Sequence, residues 1–174
     1  MKLLIASDIH GSAEYCRQLI KALERENAAK MLLLGDILYH GPRNNLPTEY
    51  APKEVAAMLN AIKEKLLCVR GNCDTEVDQM MLEFPVLSDS ALICWDGLTI
   101  YATHGHHEFP ALQKGEVVVS GHTHIPADYV EEGVRYINPG SVSIPKENSW
   151  HGYITLEDGA FTWKNLDGEP QSLN

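Results

Sequence analysis

Asp8-Ile9-His10, Asp36, Gly71-Asn72-Cys73-Asp74, His104-Gly105-His106 and Gly121-His122-Thr123-His124 each follow an apolar run. Carboxylate oxygens and imidazole nitrogens hold divalent metals, and an Asn carbonyl oxygen can join them. Any one of these groups has an ordinary explanation. Asp-x-His recurs by chance, Asp36 alone suits a helix cap, and Asn72 alone suits an Asx-turn. Together they bring two Asp, four His and one Asn to five strand ends, more donors than caps and turns use.

In an extended segment, residues i and i+2 point the same way. Asp8 and His10 are therefore expected to share one target, and His122 and His124 are able to do likewise. Seven donors (Asp8, His10, Asp36, Asn72, His104, His122 and His124) exceed what one ion needs once water completes its shell. Asp36 has two oxygens and suits a bridge. Two ions about 3.5–4 Å apart that share a carboxylate clamp an in-line displacement at phosphorus. Mixed imidazole and carboxylate ligation favours Mn²⁺, Fe, Zn²⁺, Co²⁺ or Ni²⁺ over Ca²⁺ or Mg²⁺, and does not choose among the five. The expected cofactor is two divalent ions per chain, manganese first.

The elements that must position these donors change character along the 174 residues. "KLLIAS" (2–7), "KMLLLG" (30–35) and "LLCVR" (66–70) read as buried strands. Between them, Cys16, Leu19, Ile20 and Leu23 form one helical stripe. Val55, Met58, Leu59 and Ile62 form another, entered at Pro52. A short helix is expected around Val77 to Leu82, with Asp74 leading into it. This β-α-β-α-β order predicts parallel strands with right-handed crossovers. Beyond Pro85–Ser90, Asp96-Gly97 and Asp158-Gly159 mark hairpins between apolar runs, and the rest reads as strand. The expected fold is α/β (α+β), a four-layer α-β-β-α sandwich of two mixed sheets, built as one domain over 1–174. In such sheets, ligands bind beyond the carboxyl ends of the strands, where all five donor groups fall.

A net charge of −10 repels phosphate backbones and speaks against an extended nucleic-acid surface. The start, "MKLLIASDIHG", has only a short apolar run before Asp and His. It predicts neither a signal peptide nor a membrane span, and so a cytoplasmic protein with its four cysteines reduced. Cys16, Cys68 and Cys94 lie in apolar patterns, whereas Cys73 sits among polar residues at a turn. Its alternatives are metal ligand, nucleophile, redox thiol, or an occupant of a position where another residue does chemistry.

The ordered set Asp8-x-His10, Gly35-Asp36, Gly71-Asn72, His104-Gly105 and Gly121-His122-Thr123-His124 resembles the calcineurin-like metallophosphoesterase superfamily. "HGPRN" (40–44), "RGNCDTEVDQM" (70–80) and "NPGSVSIPK" (138–146) resemble, more narrowly, the bacterial YfcE-type phosphodiesterases. The likeness extends to about residue 157. It implies the sandwich fold and self-association into a homo-oligomer. It also implies that Asp8, His10 and His124 hold one metal, that Asn72, His104 and His122 hold the other, and that Asp36 bridges. The implied activity is phosphodiester hydrolysis, a phosphoric diester hydrolase using a metal-bridging hydroxide on a small substrate.

The sequence departs from that superfamily at Cys73, where most members carry a His thought to assist the phosphoryl oxygen or the leaving group. A neutral thiol donates weakly, so the expectation is preference for good leaving groups. His106 or His107 is the alternative acid. Arg43 and His106 join Cys73 as substrate-contact candidates. Two other functions stay open. One is a scaffold of the retromer Vps29 type, whose metal site is eroded. The other is a phosphomonoesterase or protein phosphatase of the same superfamily.

Overall fold

The computed structural model describes residues 1–173. The first half follows the expected order: β1 (Leu3–Ala6), α1 (Ala13–Arg25), β2 (Lys30–Leu33), α2 (Pro52–Asn60), β3 (Leu66–Cys68) and α3 (Glu76–Met81), with a 3₁₀ turn at Lys63–Lys65. The second half is β4 (Ser90–Trp95), β5 (Leu98–Thr103), β6 (Val117–Val119), β7 (Pro126–Glu131), β8 (Val134–Pro139), β9 (Gly152–Glu157) and β10 (Ala160–Asn165). These strands build two five-stranded mixed sheets, in the orders β10-β9-β1-β2-β3 and β4-β5-β6-β8-β7.

Strands β1, β2 and β3 run parallel, with Ile5 beside Leu32 and Leu32 beside Leu67. The final hairpin does not extend the second sheet, as its place in the chain would suggest. It returns to the first, where β9 pairs antiparallel with β1 (Ile5 with Ile154). In the second sheet β5, β6 and β8 are parallel, flanked by antiparallel β4 and β7.

Alternation along β1 and β2 divides the core. Leu4, Ala6, Met31 and Leu33 pack with Cys16, Leu19, Leu23, Val55 and Leu59 of the helices. Leu3, Ile5, Leu32 and Leu34 face the other way, onto Ile100, Ala102, Val117, Val119 and Ile137 of the second sheet. Two sheets buried face to face on apolar side chains are the middle layers of the sandwich. Among the described residues all helices precede residue 82. On the second sheet the segment after His104 runs as irregular chain, with Phe109 against Tyr136 at 5.6 Å between ring centroids. Pro110 lies in that segment and lacks the N–H a helix interior needs.

Helix α1 starts at Ser12, whose hydroxyl accepts from Tyr15 N–H at 3.4 Å. Pro52 opens α2, as expected. Helix α3 starts one residue later than "NCD" suggests. Thr75 is the cap and donates its N–H to Asp78 at 2.6 Å. Asp74, expected to start that helix, turns inward instead. No described helix is long and apolar enough to cross a membrane.

Candidate metal centre

All five donor groups lie just past the carboxyl ends of parallel strands: β1, β2 and β3 in one sheet, β5 and β6 in the other. The backbone there is not extended, which corrects the reason given for Asp8 and His10 pointing together. Asp8, His10, Asp36, His122 and His124 all have positive φ, between 50° and 67°. Asp and His enter this left-handed region more readily than most side chains, and its clustering at one place marks a functional constraint.

Close loop approach requires glycine at two points. A Cβ on Gly35 would strike Gly71, and one on Gly71 would strike the Asp36 carboxylate. The pair lets the β2 and β3 loops touch back to back.

Among the described residues three overlapping triads offer atoms to a common point: Asp8–His10–His124, His10–Asp36–Cys73 and Asp8–Asp36–His104. Asp8 Oδ1 lies 3.4 Å from His10 Nε2 and 3.2 Å from His124 Nε2. Asp36 Oδ2 lies 3.7 Å from His10 Nε2 on that side and 3.4 Å from His104 Nε2 on the other. Asn72 Oδ1 is 3.1 Å from His104 Nε2. His122 stands with His104 at 5.1 Å between ring centroids, and its N–H donates to Asp8 Oδ2. The i, i+2 spacing therefore does not bring His122 and His124 to one target. His124 faces Asp8, whereas His122 faces His104.

Hydrogen bonding at the far ring nitrogens tests whether this set fits a cation. Nδ1 of His10, His104 and His124 lies 2.8, 2.6 and 2.6 Å from the carbonyl oxygens of Tyr39, Leu34 and Ile144. A carbonyl only accepts, so each Nδ1 carries the proton and each neutral ring presents the Nε2 lone pair inward. His10 Nε2 and His124 Nε2 then face each other at 3.3 Å, and Asp8 Oδ1 is buried without a hydrogen bond. Lone pairs converging on one point need positive charge there. The residues fit divalent metal.

Without that charge, burial opposes a proton on His10 but Asp8 outweighs it and raises its pKa. Burial opposes ionisation of Asp8, but His10 and His124 outweigh it and keep its carboxyl well below the usual range. Burial likewise opposes a charged His104. Asp36 and Asp8 outweigh that and raise it to about 9. Burial and His104 push His106 down to about 4.

An open cleft of about 720 Å³ is lined by Asp36, Asn72, Cys73, His122 and His124, together with Arg43 and Lys146. Asp8, His10 and His104 are buried. His106 is not part of the cleft lining; its ring packs 5.3 Å from that of His104 and 3.9 Å from that of His107. Arg43 lines the cleft. Cys73 also lines it, 7% exposed, with its N–H on Asp36 Oδ1 at 2.8 Å. Burial and the Asp36 charge push its thiol up, so it stays protonated.

Several residues here carry no obvious sequence signal. Asp74 accepts the N–H groups of Asp36, Ile37 and Gly71 at 2.7, 2.9 and 2.7 Å. The "NPGSVS" turn supports two loops. Asn138 Nδ2 donates to Gly121 O at 2.7 Å, and the Ser141 and Ser143 hydroxyls donate to Asp8 O at 2.9 and 3.0 Å. Lys146 ends the same stretch and brings a second cation to the cleft. Only the proximity of "NPGSVSIPK" to the histidine motif hinted at these roles.

Comparison with known proteins agrees with this architecture. The chain is 43% identical over 162 residues to the Escherichia coli (strain K12) phosphodiesterase YfcE, covering 91% of this chain and 88% of that protein. It is 29% identical to the probable metallophosphoesterase YsnB of Bacillus subtilis, covering 96% of this chain and 91% of the other. The solved structure of the E. coli phosphoesterase Yfce superposes with a TM-score of 0.94 at 40% identity, covering 99% of this chain and 97% of that one. The calcineurin-like phosphoesterase superfamily domain matches residues 1–158, and the chain belongs to that superfamily.

Proposed function

We propose that this protein is a phosphodiesterase that uses two divalent metal ions, manganese first, to hydrolyse small phosphodiesters with good leaving groups. The observation that supports it most directly is Asp36, whose Oδ2 lies within 3.7 Å of His10 Nε2 and 3.4 Å of His104 Nε2. A carboxylate between two imidazole groups is what a bridged pair of ions needs. In this reading Asp8, His10 and His124 hold one ion, Asn72, His104 and His122 the other, and Asp36 both. Bound ions would supply positive charge for the phosphate oxygens and an ionised water as nucleophile.

The chain's own residues do the rest. The Nδ1–H bonds to Tyr39, Leu34 and Ile144 fix the ring orientations, so little reorganisation accompanies reaction. Arg43 offers a planar fork to a phosphate oxygen or a second anionic group. Cys73, neutral and mostly buried, donates weakly to the departing oxygen, which favours alcohols that leave without a proton. His106, held uncharged, has no spare proton to give at neutral pH. The resemblance also supports one domain and a homo-oligomer. Four free cysteines suit a reducing cytoplasm.

Hydrolysis of bis(p-nitrophenyl) phosphate by metal-stripped protein, with and without added Mn²⁺, tests the reading. Activity is expected only with metal, and to be lost in Asp36→Asn and His124→Ala. No hydrolysis with Mn²⁺ supplied would favour the scaffold instead. Faster turnover of the aryl monoester would favour a phosphomonoesterase.

A further inference from the structure

Beside the cleft lies a smaller, mostly apolar groove of about 300 Å³, lined chiefly by Leu38, Tyr39, Tyr50, Pro52, Val77 and Met81. Tyr39 lines both depressions, and its carbonyl accepts from His10 Nδ1 at 2.8 Å. The groove is thus anchored to the donor cluster. Val77, Met81 and Tyr39 are 66, 43 and 42% exposed. A single exposed hydrophobe is unremarkable, but three converging on one depression next to a reaction site mark a binding surface.

The volume limits the occupant. Sites for whole ligands run from roughly 300 to 1,000 Å³, so this groove suits one ring or a short branched chain. A phosphodiester carries two alcohol groups. The departing one gains negative charge, which Arg43, Lys146 and the Cys73 thiol in the cleft are suited to receive. The retained one stays uncharged throughout, which suits apolar walls.

We propose that the groove between Tyr39 and α3 binds the apolar, ring-sized alcohol half of the diester that stays on phosphorus after cleavage. This rests on the phosphodiesterase reading of the adjoining cleft.

Two substrates with the same leaving group separate this from leaving-group chemistry: phenyl p-nitrophenyl phosphate and methyl p-nitrophenyl phosphate. After correction for their uncatalysed rates, kcat/KM for the phenyl ester is expected to be roughly tenfold higher with Mn²⁺-loaded protein. Val77→Asp and Met81→Ser are expected to collapse that ratio, and Leu92→Ser, on β4 of the other sheet, to leave it intact. A ratio near one in the wild type, or one unmoved by either groove variant, overturns the proposal. So does a change in native mass by light scattering in Val77→Asp with the ratio preserved, because the groove is then a contact between copies.

If neither ester is hydrolysed, the phosphodiesterase reading fails, and the groove is tested by binding alone. In protein labelled with ¹³C-methyl methionine, phenyl phosphate is expected to shift the Met81 methyl resonance, assigned with Met81→Leu, and methyl phosphate to leave it in place. No shift with phenyl phosphate overturns the proposal.

Discussion

The Asp74 carboxylate accepts the backbone N–H of Asp36 at 2.7 Å, and that of Gly71 at the same distance. One buried side chain thereby ties the loop after β2 to the loop after β3. Asp36 and Gly71 share Oδ2 and Ile37 takes Oδ1, so Asp74→Asn would turn its NH₂ either toward the Ile37 N–H or toward the other two. Hydrogen bonds to a charged group contribute about 1.5–3 kcal/mol each, so a loss of about 3 kcal/mol in unfolding free energy is expected. Metal affinity should fall about 10–100-fold, as for other groups that orient metal ligands. Chemical denaturation and metal titration check both, and unchanged affinity would confine Asp74 to folding.

Proton release offers a direct view of the site. Burial works against a charged His104, yet Asp36 and Asp8 raise it to about 9. A metal at its Nε2 must displace that proton. Affinity should therefore rise with pH, about tenfold per unit where one proton is released, and level off near pH 9. Calorimetry in buffers of different ionisation enthalpy should count about one proton released at pH 7 from this group. A pH-independent affinity would contradict the assignment.

Cys73→His restores a strong donor at the cleft wall. Turnover of diesters with poor leaving groups should increase, up to roughly the 10²–10⁴-fold typical of general-acid help, while aryl esters change little. A series of leaving groups of graded pKa reads this as a shallower slope of log kcat/KM. An unchanged slope would remove any role for the cysteine position in leaving-group departure.

Glu26, 8% exposed at the end of α1, gathers Lys164 at 2.7 Å, Tyr153 at 2.8 Å and Lys2 at 3.1 Å. Burial opposes its charge, but these partners outweigh it and depress its pKa. Its stabilising contribution is complete above the ordinary glutamate range and is lost as pH falls through the depressed value. Glu26→Gln should cost about 1–3 kcal/mol at neutral pH. The gap to wild type should close in strong acid, as urea midpoints across pH would show.

Much of the site was legible because donor residues terminate apolar strands, and strands of a parallel sheet end on the same side. Asp8, Asp36, Asn72, His104 and His122 could be placed from that fact alone. The left-handed backbone at Asp8 and His10 could not, because it arises from contacts such as His10 N–H on Asp36 O at 2.9 Å between distant loops. Asp74 read as a helix start because two of its three partners are 37 and 38 residues away. Lys146 ends a stretch that carried the resemblance, but nothing local marked it for the cleft, since the wall it joins belongs to other loops. The final hairpin went to the first sheet because a vacant β1 edge can be told from a vacant β7 edge only in three dimensions.

That hairpin also sets a timetable. Strand β1, which delivers Asp8, takes β9 as its second neighbour, with Ile5 opposite Ile154. On the ribosome the chain must emerge through Gly152–Glu157 before that pairing forms. Strand β1 therefore waits for β9, and a nascent chain that stalls after β8 exposes an open strand edge beside metal donors that still lack the Ser141 and Ser143 hydroxyls on Asp8 O.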